Sequence, residues 1–452
     1  MKRITIVFMT LALVVSTFAN PISREQAQQR VQAFLQNKRG AKRLTPVTRG
    51  ARLAPRHTQP AMGRNLYYAF DRGTDEGFVI ASADDQTPAV LGYCDTGHFD
   101  YNEIPDNMRE WLDNYAQQIA EIQMAGLTAA ELPVAELQTH DPIDQLMDSQ
   151  WNQGSPYNLL CPSYFNIGKS VTGCVATAMA QILYYHRDNL PHETLAAIPA
   201  YTAHKEHSSY GHLELDGVEA GAPLDWDNMC PTYNGSDNRT NVQKMAVAQL
   251  MLYCGVGVEM DYSNTGSGAY SDDVPDALSK YFGIPSSCRH ISRNDVSEEQ
   301  FDKTVYADLA KGDPVYLSGS NGSGGHAFVA DGYDGDLCYH INWGWGGSSD
   351  GFYMLAKLNP GSQGIGGSDG GYSGGQAAVV GIHVDNWMEK TISFSDSRVR
   401  TAAVAKWDTN GDNKLSYAEA AAVTDLSDTF KGTNIKTFNE LYYFTGITSI
   451  PA

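Results

Sequence analysis

The stretch SVTGCVATAMAQILYYHR, beginning at Ser170, places Cys174 where a Thr and Gly loop meets a run of Ala, Met, Gln and Leu, so a helix is expected to start near the cysteine. A thiol at a helix N-terminus faces unpaired backbone N–H groups and the positive end of the dipole, both of which favour thiolate. The context suits a nucleophile, with a small buried core cysteine as the competing reading. A nucleophilic thiol needs a base, a group that holds the base, and donors for an oxyanion. His326, in GSGGHAFVADGYD, follows a Gly pair and opens an apolar strand that would hold it rigidly. Downstream, HINWGWGG supplies Asn342, whose amide would orient an imidazole, and Trp343, whose ring would shield that pair from water. Upstream, QWNQGSPYN supplies Gln153, a neutral amide suited to an oxyanion hole together with the N–H of Cys174. Singly, each has a plain structural reading: a histidine at a strand edge, an Asn in a turn, a Trp in a core. Jointly they describe acyl transfer through a thiol, a chemistry that spacing alone assigns equally to a peptidase, an amidase or a transglutaminase.

The elements that must position these groups follow from periodicity. SREQAQQRVQAFLQN has a cap at Ser23 and Val31, Phe34 and Leu35 at helical spacing. NLYYAF and FVIAS, separated by DRGTDEG, read as a hairpin, and IPDNMREWLDNYAQQIAEIQ reads as a helix with Trp111, Tyr115, Ile119 and Ile122 along one side. These make a small α+β unit, and AGLTAAELPVAELQTHDP reads as a connector after it. Beyond residue 144 come helices near 174–186 and 241–254, then strands in PVYLSG, HAFVADGYD, LCYHINW and DGFYML with Asp-Gly turns between them. Helices first and strands later, without βα alternation, predict an α+β fold. GSQGIGGSDGGYSGG, without a GK[ST] ending, reads as a surface loop and not a phosphate cradle.

Composition narrows the class. The chain opens with Lys2 and Arg3 before an apolar run ending in small residues, which predicts a secretory signal peptide over residues 1–19 and, since no later segment is long and apolar enough, no transmembrane span. Net charge is −20 over 452 residues, yet residues 21–64 carry ten Lys or Arg against the single acid Glu25, while residues 144–386 hold 28 acids and 11 bases. So acidic a body argues against nucleic acid or anionic lipid as partner, and the basic arm KRGAKRLTPVTRGARLAPR suits an intramolecular role or a cleavable linker. Seven cysteines leave at least one thiol without an intrachain partner; their spacing shows no CxxC pair or zinc pattern, and Cys338-x-His340 is better explained by strand alternation.

QWNQGSPYNLLCP, TGCVATAMAQILYYH, NVQKMAVAQLM, GGHAFVADGYDGDLCYHINWGWGGSSDGFYMLAKLNP and GGYSGGQAAVVGI, in that order over residues 144–384, resemble the corresponding segments of the streptopain family, the C10 papain-like cysteine peptidases, in its Bacteroidetes type. The resemblance implies a papain-like fold, with a helical subdomain and an antiparallel sheet subdomain behind an inhibitory pro-domain, and endopeptidase activity on protein substrates. By motif it makes Cys174 the nucleophile, His326 the general base and acid, Gln153 an oxyanion donor, Trp343 and Asn342 the support of His326, and Gly325 a hydrogen-bonding partner of substrate backbone. No cofactor is implied for catalysis. The expected division is a signal peptide (1–19), a pro-domain acting as intramolecular inhibitor (20–143), a catalytic domain (144–386) and a C-terminal extension (387–452), with maturation by cleavage in the connector near 130–148. Salt-sensitive docking of the basic arm on the acidic body is a further expectation. Unlike the family type, the catalytic region is rich in cysteine, which opens the way to disulfides.

The extension carries one more pattern. Asp408, Asn410, Asp412, Lys414 through its carbonyl, Ser416 and Glu419 occupy positions 1, 3, 5, 7, 9 and 12 of an EF-hand-like loop, with Asn413 at position 6 where a left-handed residue is required. A structural Ca²⁺ and an empty polar turn are the two readings. The end, NELYYFTGITSIPA, resembles the opening of a leucine-rich surface repeat, so a longer chain is expected. Two other functions remain open on sequence: a thiol acyltransferase or amidase using the same residues, and a surface adhesion protein with a decayed peptidase body.

Overall fold

Apolar alternation in the sequence becomes one antiparallel sheet with helices on both faces. The computed structural model describes residues 21–39, 45–46, 65–137, 139–233, 238–320, 325–356, 376–384 and 394–444, and singly 358, 389, 391, 392, 446 and 447. The expected signal peptide, most of the basic arm and the glycine-rich loop lie outside the described residues.

The first region contributes α1 (Arg24–Arg39), β1 (Thr45–Pro46), β2 (Tyr67–Asp71), β3 (Phe78–Ser82), β4 (Val90–Cys94) and α2 (Asp106–Ala125). There follow a short hairpin of β5 (Ser163–Tyr164) and β6 (Gly168–Lys169), then α3 (Cys174–Tyr185), and a second hairpin of β7 (Tyr201–His207) and β8 (Gly211–Leu215). Next come α4 (Asn241–Gly257), α5 (Val274–Tyr281), β9 (Arg289–Ser292), α6 (Glu298–Leu309), β10 (Val315–Ser320), β11 (Gly325–Tyr333), β12 (Cys338–Asn342), β13 (Gly351–Met354) and β14 (Ala377–Val380). Finally, α7 (Ser397–Trp407) and α8 (Tyr417–Ala421) lie in the C-terminal extension.

The sheet order is β1-β2-β3-β4-β13-β12-β11-β10-β14-β9. Alternation along β10 and β11 divides two cores. Tyr316, Ala327 and Val329 face α3, α4 and α5. Leu317, Phe328 and Ala330 face α2 and α6, together with Trp343, Tyr353, Trp111 and Tyr115. The helix expected at Ser23 is α1: Gln26 N–H donates to Ser23 Oγ (3.3 Å), Ser23 N–H to Gln26 Oε1 (2.7 Å), and Val31 and Leu35 are buried against β2 and β3.

The first region is not a separate unit laid beside the second. Its strand β4 pairs with β13 in the register Tyr93↔Phe352 and Gly92↔Tyr353, so its three longer strands extend the same sheet. The physical cause is an open edge: β13 has β12 on one side, and an edge strand offers unpaired N–H and C=O groups to any extended neighbour. The connector is partly docked too, with Leu132 and Val134 buried. Beyond it Ile143 exchanges two hydrogen bonds of 2.8 Å with Tyr333, and Leu146 N–H donates to Asp331 O (2.7 Å). All seven cysteines are free and buried, so no disulfide forms. In the extension, Ile392, Ala403, Leu415, Ala420, Val423, Leu426 and Phe444 form a small core of their own.

Candidate active site

Cys174 is the first residue of α3, as the run after it predicts. The preceding Gly173 has φ +86°, and a Cβ there would sit 2.8 Å from Met260 Sδ and 3.0 Å from Ser267 O, so the entry to the helix requires glycine. The thiol does not have the lowered pKa expected of a helix N-terminus. Burial pushes it up, against hydrogen bonds from the N–H groups of Ala327, Val175 and Cys174 itself. Among the described residues no cation lies beside the thiol.

A cation would come from His326, the residue before Ala327 on β11. The imidazole shares its strand face with Phe328 and is turned toward α2, where its Nε2 lies 3.9 Å from Glu110 Oε1. Burial lowers its pKa, with Asp106 at the start of α2 pulling the other way. Among the described residues no hydrogen bond or ion pair joins Cys174 to His326: the imidazole lies on the α2 face of the sheet, and Cys174 belongs to the core on the α3 face. Cys174 nonetheless shares its core with Ala327, the residue after His326 on β11. Gly325 is the exposed first residue of the same strand, opposite Ser320 of β10.

Asn342 and Trp343, both expected to support His326, lie on different faces of the sheet in the docked chain. Consecutive residues at a strand end point to opposite faces, so the two part company. Trp343 faces α2: its ring packs against Phe328 (5.1 Å between centroids), Tyr353 (5.1 Å) and Trp111 (6.5 Å), and its carbonyl accepts from Asn107 Nδ2 (2.8 Å). Asn342 faces α3 and is fully committed elsewhere. Its Nδ2 donates to Ser149 O (2.7 Å) and Gln181 Oε1 (3.2 Å), while its Oδ1 accepts from Gln181 Nε2 (3.0 Å) and Gly344 N (3.0 Å). Gln153 is tied to the segment before Cys174, its backbone carbonyl accepting from Thr172 N–H (3.0 Å) two residues before the cysteine.

With that geometry in place, the comparisons with known proteins become decisive. A model described as the Peptidase C10 family matches residues 151–353, and one described as Spi protease inhibitor matches residues 19–119. Streptopain of Streptococcus pyogenes is 40% identical over 334 residues, covering 71% of this chain and 81% of that protein. The chain belongs to the peptidase C10 family. A second relative, the thiol protease/hemagglutinin PrtT of Porphyromonas gingivalis, is 34% identical over 403 residues, which cover 84% of this chain and 44% of PrtT. The solved structure of a Prevotella intermedia prointerpain A fragment superposes with a TM-score of 0.62 at 30% identity, covering 76% of this chain and all of that one. The fold class expected from element order is therefore the fold observed, and the protein is a self-inhibited cysteine peptidase.

Inhibition in this C10 peptidase has a visible anatomy. Helix α2 of the inhibitor domain lies on the sheet face opposite α3 and holds the backbone of β13 and its continuation. Trp111 Nε1 donates to Met354 O (2.9 Å), Tyr115 Oη to Ala356 O (2.7 Å) and Met354 O (3.0 Å), and Leu358 N–H to Gln118 Oε1 (2.7 Å). Docking thus rests on strand pairing, buried aromatics and these hydrogen bonds; the basic arm expected to dock through charge lies mostly outside the described residues. Sequence reasoning missed Glu110, Asn107 and Gln181. The helical pattern of Trp111, Tyr115 and Ile119 did signal an apolar face on α2, but not that the catalytic sheet would cover it.

In the extension, Asn413 has the left-handed φ of +61° that position 6 requires. Asp408 accepts from Gly411 and Asn413 N–H groups, Asn410 from Asp412 and Asp412 from Lys414. Glu419 is turned to Thr409, Asn410 and Ser416, forming a capping box at α8. The oxygen donors fit a hard cation by type and spacing, but among the described residues no three acidic, His or Cys side chains are set as a metal group, and Glu419 would have to leave the helix cap to join one.

Proposed function

We propose that this C10 peptidase is a secreted endopeptidase whose nucleophile is Cys174 and whose base and acid is His326. The supporting observation is that Cys174, the first residue of α3, is buried in the same core as Ala327, which follows His326 on β11. Once α2 leaves, the imidazole turns from Glu110 toward Cys174 and takes the thiol proton, giving a thiolate and imidazolium pair. The thiolate adds to a substrate carbonyl carbon; the oxygen takes the displaced electron pair and is held by the Gln153 amide and the Cys174 N–H. Imidazolium protonates the leaving amine as the C–N bond breaks, and the neutral imidazole then activates water to release the acyl group. Gly325, exposed on β11, would bind substrate backbone. Trp343 supports His326 from the shared sheet face; Asn342 acts from the α3 side.

The proposed division keeps the signal peptide at 1–19, the inhibitory domain at 20–143, the catalytic domain at 144–386 and the extension at 387–452. Because Ile143 and Leu146 are hydrogen-bonded to β11, maturation would cut the connector ahead of them. Secretion rests on the apolar N-terminal run, and no helix among the described residues is long and apolar enough to cross a membrane. For the extension we propose a structural Ca²⁺ held by Asp408, Asn410, Asp412, the Lys414 carbonyl, Ser416 and Glu419; it has no part in the reaction. The test of the site is Cys174→Ala in the chain without residues 1–19, followed with casein and a fluorogenic peptide. Hydrolysis is expected to vanish, and activity surviving in the variant refutes the assignment.

A further inference from the structure

Helix α3 carries one amide side chain, that of Gln181, which is wholly buried and stands two turns beyond Cys174, about 10 Å along the axis. Every polar atom of this amide is engaged. Its Oε1 accepts from Trp151 N–H (3.1 Å) and Asn342 Nδ2 (3.2 Å), and its Nε2 donates to Asn342 Oδ1 (3.0 Å). The backbone fixes which way both amides point. Trp151 N–H and Gly344 N–H can meet only oxygens, and Ser149 O only a nitrogen.

These bonds close a ring through the site. From Cys174 the path runs down α3 to Gln181, across to Trp151, along two residues to Gln153, and from the Gln153 carbonyl to Thr172 N–H (3.0 Å), two residues before Cys174. A second loop ties in the turn after β12: Gly346 N–H donates to Trp151 O (2.9 Å) and Asn342 holds Gly344. The two oxyanion donors, the Gln153 amide and the Cys174 N–H, therefore sit on separate pieces of chain whose spacing is set by the buried Gln181–Asn342 pair. Such donors work only within a few tenths of an ångström of the developing oxyanion, and an error of about 1 Å costs on the order of 100-fold.

We propose that Gln181 is the positioning residue of the oxyanion hole, holding Gln153 at its working distance from Cys174 through Trp151 and Asn342. It touches neither substrate nor the reacting atoms. The inference rests on the roles proposed above for Cys174 and Gln153.

The test compares two inhibitors on full chain matured by tagged wild-type enzyme that is then removed. A peptide aldehyde is attacked by the thiolate at its carbonyl carbon; the oxygen takes the electron pair and a proton from the imidazolium, and the adduct needs the oxyanion hole. Iodoacetamide forms an S–C bond as iodide leaves and does not need it. For Gln181→Met, kcat and aldehyde affinity are expected to fall together by about 10- to 100-fold. KM and the alkylation rate should stay within about 3-fold, a margin well below that loss. Gln181→Glu keeps the shape. As the neutral acid it accepts from Trp151 and donates to Asn342 Oδ1, whereas ionised it faces that oxygen with a charge, so its aldehyde affinity should match wild type at acid pH and weaken as pH rises. Should Gln181→Met not fold, Gln181→Glu carries the same comparison. Aldehyde affinity unchanged in the variants, or a loss shared equally by alkylation, overturns the proposal. A wild-type enzyme that iodoacetamide does not inactivate at Cys174, or a Gln153→Ala enzyme with undiminished aldehyde affinity, overturns the reading of the site beneath it.

Discussion

Replacing Tyr115 by Phe removes one oxygen from the contact that keeps the enzyme latent, and the structure allows its effect to be sized. Tyr115 is buried on α2, and its hydroxyl reaches Ala356 O at 2.7 Å and Met354 O at 3.0 Å. One hydroxyl hydrogen serves one acceptor at a time, and the shorter contact is to Ala356. In the variant Met354 O keeps Trp111 Nε1, so a single carbonyl loses its donor while the ring still fills its place. A lost hydrogen bond with a buried orphan acceptor costs about 1–2 kcal/mol, which raises the undocked fraction roughly 5- to 30-fold. The assay is the lag before a fluorogenic peptide is hydrolysed by freshly purified full-length chain, since the first intramolecular cleavages come from undocked molecules. We expect a lag shorter by about tenfold, with matured enzyme from either chain kinetically identical because Tyr115 departs with the inhibitor domain. An unchanged lag, or an altered mature enzyme, would refute the claim that α2 enforces latency through the backbone of β13 and its continuation.

Two further outcomes follow from the same geometry. His326 has a lowered pKa in the docked state, so the freed imidazole binds protons more readily and stability is drained from the zymogen as pH falls through the ordinary value near 6.5. Asp350, pushed up to about 7 by burial, has the opposite sign, contributing at low pH and losing its contribution as pH rises. The His326 part is isolated by melting Cys174→Ala and Cys174→Ala/His326→Gln between pH 5 and 8: the double variant should lose less stability on acidification, and superimposable pH curves would contradict the assignment. In the extension, 10 mM calcium at a site of extracellular-module affinity contributes roughly 1.5–3 kcal/mol, so it should raise the melting temperature and protease resistance of residues 391–447 in wild type and not in Asp412→Ala. No shift would leave the loop a polar turn closed by its own hydrogen bonds.

What the sequence made legible were features carried by local chemistry. The start of α3 at Cys174, the apolar face of α2, the hairpin of β2 and β3 and the strands from β10 to β13 all follow from periodicity and turn residues within one short window. What it hid were consequences of pairing between distant segments. That β4 would extend the catalytic sheet depends on an open edge at β13, and nothing in VLGYC alone names its partner. The separate surroundings of Asn342 and Trp343 were hidden for the same reason. Adjacent letters suggest one site, whereas alternation sends Trp343 to the inhibitor domain and Asn342 to Gln181.

The position of His326 brings these levels into one account of latency. A thiol at a helix N-terminus is only part of a nucleophile; burial pushes the Cys174 pKa up, against the pull of backbone N–H groups. The inhibitor domain need not plug the site to silence it. By completing the sheet at β13 it brings α2 over the face that His326 shares with Phe328 and Trp343, and there Glu110 and burial give the imidazole a resting place away from the thiol. With the roles proposed for Cys174 and His326, the same step that hides the apolar face of α2 separates base from nucleophile, which makes folding of the zymogen and inhibition of the enzyme a single event. On that proposal, cutting the connector leaves α2 held by non-covalent contacts alone, and its loss would both reopen the β13 edge and return the cation that the thiolate requires.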